Sequence, residues 1–409
     1  APADRRANRI TVDGRTLRFS DGDTDDLMAD PASAPVFAAI DGVAGTLTAV
    51  PGYTAAVTSA GVAFGHAASG VRADTLDYPG LDAFVLVDNA NVERYRPIAG
   101  TDGAMALTAV EVRAILAEAL TIANRSRAQI RQPVGTPARV SISVVDSNGS
   151  ILGIVRSRDA PVFGIDVSLQ KARTAAFFSS ASAATALNGV PPATYLNGGL
   201  AVLRKEPLSQ YVTAAQAFLG IPTALSDGAV AFSDRAGGNL SRPYFPDGIS
   251  GNPHGPFSKP QGQWSPFSTG LQLDLVYNAI IQHVGFVLSI APDVPANCTG
   301  IDGFDNAFAI AGPIPQLANG TQIFPGSVPI YRGSQLVGAI GVSGDGVDQD
   351  DMIAFLGVHE AGLQSGRFGN AEPAIRADVL TPQGPRLRYI NCPVTPFNDS
   401  DEQDVCDGK

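Results

Sequence analysis

From residue 107 onward the chain switches repeatedly between two hydrophobic periods, and each switch predicts an element. Val112, Ile115, Leu116, Ala119, Ile122 and Ala123 recur at helical spacing, which predicts a helix with one buried face. Thr108 and Glu111 open it as a capping box, in which the hydroxyl accepts from the third amide and the carboxylate reaches back. Pro133, Gly135 and Pro137 are expected to end it. Val140, Ile142 and Val144 then alternate with Ser141, Ser143 and Val145, the period of a strand with one buried face. Asp146-Ser147-Asn148-Gly149 supplies a hairpin turn, where Asn-Gly tolerates positive φ, and Ile151–Val155 is the returning strand. Asp166 is placed to cap a helix that runs through Phe178.

The same pattern recurs later. Val328–Tyr331 and Leu336–Val342 predict a second hairpin turning at Arg332-Gly333. After the loop Gly341–Gly346, Met352, Ile353, Leu356 and Leu363 form the apolar side of a last helix. Helix, hairpin, helix, hairpin, helix is an α+β arrangement: an antiparallel sheet flanked by helices. The two halves, residues 106–188 and 306–366, are separated by residues 189–305, far longer than an ordinary loop. That insert is rich in Gly, Pro and aromatics (Tyr195, Tyr211, Phe218, Phe232, Tyr244, Phe245, Phe257, Trp264, Phe267), with one continuous run, Leu271–Ile290. It is expected to pack as a subdomain that covers a pocket or makes an interface. Residues 1–105 form an N-terminal extension with short strand-like runs at Ile10–Val12, Leu17–Phe19 and Phe84–Val87. Residues 367–409 form a tail with a solvated acidic end, Asp399–Asp404.

Composition narrows the function. Of 409 residues 44% are hydrophobic and only 16% charged, enough for a large core and more than one domain. The net charge of −11 argues against a nucleic-acid groove and offers no polybasic handle for an anionic membrane. No apolar run reaches transmembrane length. The opening Ala1-Pro2-Ala3 is read either as the mature start of an exported chain or as an arbitrary boundary. Cys298, Cys392 and Cys406 include no Cys-x-x-Cys, so zinc, thioredoxin-type chemistry and covalent haem attachment find no support. One disulfide is expected in an oxidising compartment, and any of three pairings is open.

In order along the chain stand Val144-Val145-Asp146, Lys171-Ala172-Arg173-Thr174-Ala175, Val328-Pro329-Ile330, Val337–Gly344 and Gln349-Asp350. This series resembles the GlcG/HbpS family (haem-binding, DUF336-type), in a long form with a large insert. The resemblance covers about a third of the chain. It implies a profilin-like fold, a tendency to homo-oligomerise, and non-covalent binding of haem b or a related tetrapyrrole. The resulting expectation is a periplasmic or secreted protein for haem storage, uptake or redox sensing. The alternative is a structural protein whose domain and insert form an oligomer or partner interface. An enzyme acting on a small organic acid or on haem itself rests on family association alone.

The family resemblance selects no iron ligand, so His254, His283 and His359 are the candidate cofactor-binding residues, with the insert pair ranked first. His66 lies in a small-residue stretch, and no two histidines stand at metal spacing. A packed core histidine is the competing reading of His359. Lys171 and Arg173 are read either as ordinary charges of a surface helix or as cationic donors to propionates. The amides of Gly341–Gly346 can face an anion, but tight packing of hairpin on helix explains those glycines without one. Asp21–Asp26 lacks the Gly and Glu of an EF-hand loop and reads as a solvated turn. Gly341-Val-Ser-Gly-Asp345 misses the nucleophile elbow at its last position, and no catalytic residue or metal-ligand set can be assigned.

Overall fold

The computed structural model describes residues 11–12, 15–16, 62, 65–197, 201–246, 250–264, 270–293 and 314–409. The run Leu17–Phe19, the acidic run Asp21–Asp26, Phe267 and Cys298 lie outside them. The chain divides into two units, Ala1–Val57 and Thr58–Lys409. In the first, β1 (Thr11–Val12) pairs antiparallel with β2 (Arg15–Thr16).

The second unit begins with β3 (Val71–Ala73), β4 (Phe84–Leu86), α1 (Ala109–Arg125), β5 (Ser141–Val145), β6 (Ile151–Arg156) and α2 (Gly164–Phe178). It continues with α3 (Ala183–Gly189), β7 (Ala193–Leu196), β8 (Val202–Glu206), α4 (Ser209–Leu219), α5 (Asp234–Leu240) and α6 (Gly270–Val287). It closes with β9 (Ser327–Arg332), β10 (Gln335–Ser343), α7 (Val347–Ser365) and β11 (Gly369–Asn370). Seven strands form one antiparallel sheet in the order β11-β9-β10-β5-β6-β4-β3. The α+β expectation holds: α1 and α7 pack on one face and α2 on the other.

The capping box forms as predicted, with Glu111 N donating to Thr108 Oγ1 at 3.3 Å and Thr108 N to Glu111 Oε2 at 2.8 Å. The helix stops at Arg125, well before Pro133, because Ser126 turns extended and its hydroxyl donates to the Ile122 carbonyl at 2.7 Å. Strand β5 differs from the one-faced expectation, since all five residues are buried. Ile142 and Val144 join the core beneath α1, while Ser143 meets Ser168 of α2 at 2.7 Å and Val145 packs against Leu169. The face toward α2 is built of small residues, which lets the helix come close. A Cβ on Gly341 of β10 would lie 2.0 Å from the Ser168 carbonyl oxygen. That contact, rather than an anion, accounts for the first glycine of the loop. Farther along, Asp345 turns back on the loop and accepts from the amides of Gly346 (2.8 Å) and Gln129 (2.6 Å).

Other expectations shift at element ends. Asp166 lies inside the first turn of α2 rather than capping it, and its carboxylate instead accepts from Asn319 Nδ2 at 2.9 Å. Met352, Ile353 and Leu356 are buried on α7, but Leu363 is 67% exposed because the last turns leave the core. Strands β3 and β4 complete the sheet, so residues 71–86 of the N-terminal extension add two strands to it. The insert shares the core as well: Tyr211, Phe232, Phe245, Phe257 and Leu271 are buried in the same cluster as Ile115 and Leu116. In the C-terminal stretch, Leu387, Tyr389 and Phe397 are buried there too, and Arg125 holds Asp399 at 2.8 Å. A disulfide joins Cys392 to Cys406, settling which of the open pairings forms.

Candidate functional site

Lys171 and Arg173 are not on a surface helix. Helix α2 is clasped between the sheet and α5, and both side chains are buried. Lys171 Nζ donates to Asp350 Oδ2 at 2.9 Å and to the Val342 carbonyl at 2.7 Å. Arg173 donates to the Gly149 carbonyl at 2.9 Å and to Asn319 Oδ1 at 2.7 Å. Around Lys171 lie further buried charges. Arg235 of α5 binds Asp351 and Asp348 of α7, and Asp234 beside it is fully buried. Burial pushes the Asp234 carboxyl well above the usual range against the pull of Lys171, and raises Asp350 and Asp351 to about 6 despite their cationic partners. This network ties α2, α5 and α7 together at the Val342 end of β10. Its cationic donors are spent on protein partners.

The histidines fall in separate places. His66 is exposed. His254 Nδ1 contacts the Gly255 carbonyl at 2.9 Å, and His283 Nδ1 contacts Asp293 Oδ1 at 2.7 Å. The two insert candidates ranked first thus have protein partners. His359, half-buried on α7, has no hydrogen bond to either ring nitrogen among the described residues. Burial lowers its pKa, Arg376 and Lys409 add to the fall, and Glu360 opposes it. The imidazole is therefore held in the neutral form that ligates a metal. It lines a surface cleft of about 320 Å³.

The cleft is made where α7 ends. Gly366 takes the left-handed conformation at φ 64°, the chain reverses, and Arg367 to Glu372 come back beside the last turns. A Cβ on Gly362 would lie 2.5 Å from the Phe368 carbonyl oxygen, so that glycine permits the close return. Tyr331 and Phe368 supply aromatic walls, Leu363 an exposed apolar rim, and Arg367 an exposed cation. Sequence reasoning missed this returning wall. Its signal was Gly366 just past the helix, a common place for a chain to double back. A second cleft, of about 490 Å³, lies on the other flank of α7. Glu118, Glu360, Glu402, Asp404 and Asp407 line it against Arg125 and Lys409, and no histidine does, which is the wrong charge for an anionic ligand.

The class defined by this geometry is an α+β domain in which two hairpins form one antiparallel sheet between helices, with a long insert separating them. The profile of the family described as "Haem degrading protein HbpS-like" matches residues 115–232 and 297–359, which span both hairpins and α2. These two segments are similar to the GlcG/HbpS-like family that the sequence motifs suggest. A solved structure, Klebsiella pneumoniae protein ORFY, described with the family model DUF336, is similar at 18% identity. The match covers 61% of this chain and 87% of that one, with a TM-score of 0.25. Comparison with curated proteins finds no match. At the level of the family, the domain is associated with haem. No helix among the described residues is long and apolar enough to cross a membrane.

Proposed function

We propose that this protein binds haem non-covalently in the cleft at the end of α7, with His359 as the iron ligand. The observation that carries the reading is a neutral imidazole without a hydrogen-bond partner, facing an aromatic-walled cleft. The volume lies in the range of small-molecule sites, roughly 300–1,000 Å³. Arg367 is the cation placed to meet a propionate, a role that the buried Lys171 and Arg173 leave open. The family-matched segments end at His359, so the cleft's returning wall belongs to the adjoining stretch of this chain. The Cys392–Cys406 disulfide supports a secreted or periplasmic location, where such bonds persist.

Haemin titration of the full chain is the test. The expected result is a saturable Soret shift at one haem per chain, lost in His359→Ala and retained in His254→Ala and His283→Ala. A flat titration of the wild-type chain, or a shift unchanged in His359→Ala, overturns the assignment. The oligomer implied by the family belongs to the same reading. Its support is the exposed apolar series Ile280, Val284 and Leu288 at four-residue spacing on α6 and just beyond it, and a monomer by light scattering removes it.

A further inference from the structure

The cleft on the other flank of α7 has one wall that belongs neither to the sheet nor to the helices beside it. Residues 402–405, with Asp407 and Lys409, face α1 and α7 across about 490 Å³. The chain that leads there is firmly rooted. Leu387 and Tyr389 are buried, and the Asn391 amide donates to Asp351 at 2.9 Å. Beyond Cys392 the loop is bonded to the end of α1. The Arg127 amide donates to the Pro396 carbonyl at 2.7 Å, and the Asn398 amide to the Arg125 carbonyl at 2.9 Å. Phe397 is buried beneath the Arg125 guanidinium, 4.3 Å from its ring centre.

From residue 400 onward these anchors stop. Among the described residues, two polar contacts leave that stretch. Arg125 reaches Glu402 at 3.8 Å, and the Asp404 amide donates to the Val394 carbonyl at 3.1 Å. The first is an ion pair whose side chains are 36 and 60% exposed, and such pairs hold little. The Asp407 amide turns back on the Asp404 carbonyl, within the stretch. Val405 and Cys406 rest on the margin of the core, and the Cys392–Cys406 disulfide fastens them to the rooted loop.

Charge opposes the closed position. Glu118 and Glu360 stand on the helix side of the cleft, and Glu402, Asp404 and Asp407 on the other. Arg125 and Lys409 are the cations between them, and Arg125 is shared with Asp399. Carboxylates on both walls repel across a gap this narrow, since charges in ordinary salt act over roughly 8–10 Å. A wall pushed outward by its own charge and held by one covalent tie is a latched lid. Both cysteines are partly exposed, so the tie is within reach of a small thiol.

We infer that residues 400–409 form a lid over the α1–α7 cleft, latched by the Cys392–Cys406 bond and released when that bond is reduced. A dithiol supplies the two electrons. Its two sulfurs join in a new S–S bond, the protein's S–S bond breaks, and the two thiol protons pass to Cys392 and Cys406. Release opens the cleft over Ile122 and Leu356, which line it, and leaves residues 396–399 bonded at the end of α1. The lid is independent of the haem reading, and its test uses no haem.

Hydrogen exchange of the full chain, read by peptide mass spectrometry with and without dithiothreitol, tests it. Reduction is expected to speed exchange across residues 400–409 about tenfold, the bonded Asp404 amide foremost, while α1 and the β5–β6 hairpin remain protected over the same minutes. Cys406→Ser is expected to show the released pattern without reductant and no further change with it, which separates the latch from any effect at Cys298. Removing the lid's charge in Glu402→Gln, Asp404→Asn and Asp407→Asn together is expected to keep it closed after reduction. Equal exchange of residues 400–409 in both redox states overturns the latch. So does loss of protection in α1 at the same rate as in residues 400–409, because the disulfide is then a staple of the whole fold.

Discussion

At the scale of single residues, environment sorts groups that look alike in the sequence. Among the described residues His359 differs from His254 and His283 in having no hydrogen bond to its ring nitrogens, and burial, helped by Lys409 and Arg376 and opposed by Glu360, lowers its pKa. A proton therefore takes the ring only in more acid solution than for an ordinary imidazole. Haemin affinity, with His359 as the proposed ligand, is expected to fall on acidification later than it would for an ordinary imidazole, read by Soret titration at each pH. Lys171 makes the opposite case. Removing it in Lys171→Met leaves Asp350 buried without its counterion, which costs about 3–5 kcal/mol. Adding Asp350→Leu is expected to recover most of that loss in urea unfolding. Sequence reading set Lys171 and Arg173 on the right helix but weighed it as a surface one, and set His359 on the last helix, where it lies half-buried. Lys171 and Arg173 sit among small residues on a helix of modest amphipathicity, a pattern that does not reveal a helix covered on all sides. The cleft-lining groups Tyr331 and Arg367 come from outside α7, and no local pattern joins them to His359.

At the scale of elements, the sequence was most legible where one period repeats without interruption. The capping box and the six apolar positions of α1 are buried or bonded as predicted, and both hairpins turn at their predicted glycines. Thr108→Ala is expected to cost ~1 kcal/mol, the usual worth of a helix cap, visible as a lower urea midpoint with an unchanged slope. Partners of an element are less legible than its type. Strand β5 reads as one-faced because Ser141 and Ser143 are polar, yet these serines are small groups on which α2 lies. Gly341 carries the same information from the other side of the contact. Gly341→Ala is expected to drive α2 off β10 and cost about 3 kcal/mol, at the upper end for overpacking. Thermal melting checks it, and a change below half that size removes the close-packing explanation of the glycine.

At the scale of the whole molecule, the buried carboxylates make stability depend on pH in a direction opposite to ordinary acid denaturation. Asp350 and Asp351 titrate near 6 in the folded chain, and Asp234 is also raised, against about 3.9 for an aspartate in an unfolded one. Between these values the folded state holds more protons than the unfolded state, so unfolding releases protons and stability falls as pH rises from about 4 through 6. Above that window the contribution is lost and the curve flattens. Carboxylates with lowered pKa work the other way: Glu111, held by Arg332, and Asp399, held by Arg125, lose their stabilising charge as pH falls below 4. The two slopes meet in a maximum on the acid side, near pH 4, where the denaturation midpoint is expected to exceed that at pH 7.5. Asp350→Asn together with Lys171→Met is expected to flatten the alkaline slope. The Cys392–Cys406 bond sets a pH-independent level beneath this curve. It closes a loop with a sequence separation of 14, worth ~3 kcal/mol by chain entropy, and it pins Phe397 and Asp399 against α1. Reduction should therefore lower the midpoint at every pH without moving the maximum. A maximum that shifts on reduction would instead tie the titrating network to the C-terminal stretch, through the bond from the Asn391 amide to Asp351 at 2.9 Å.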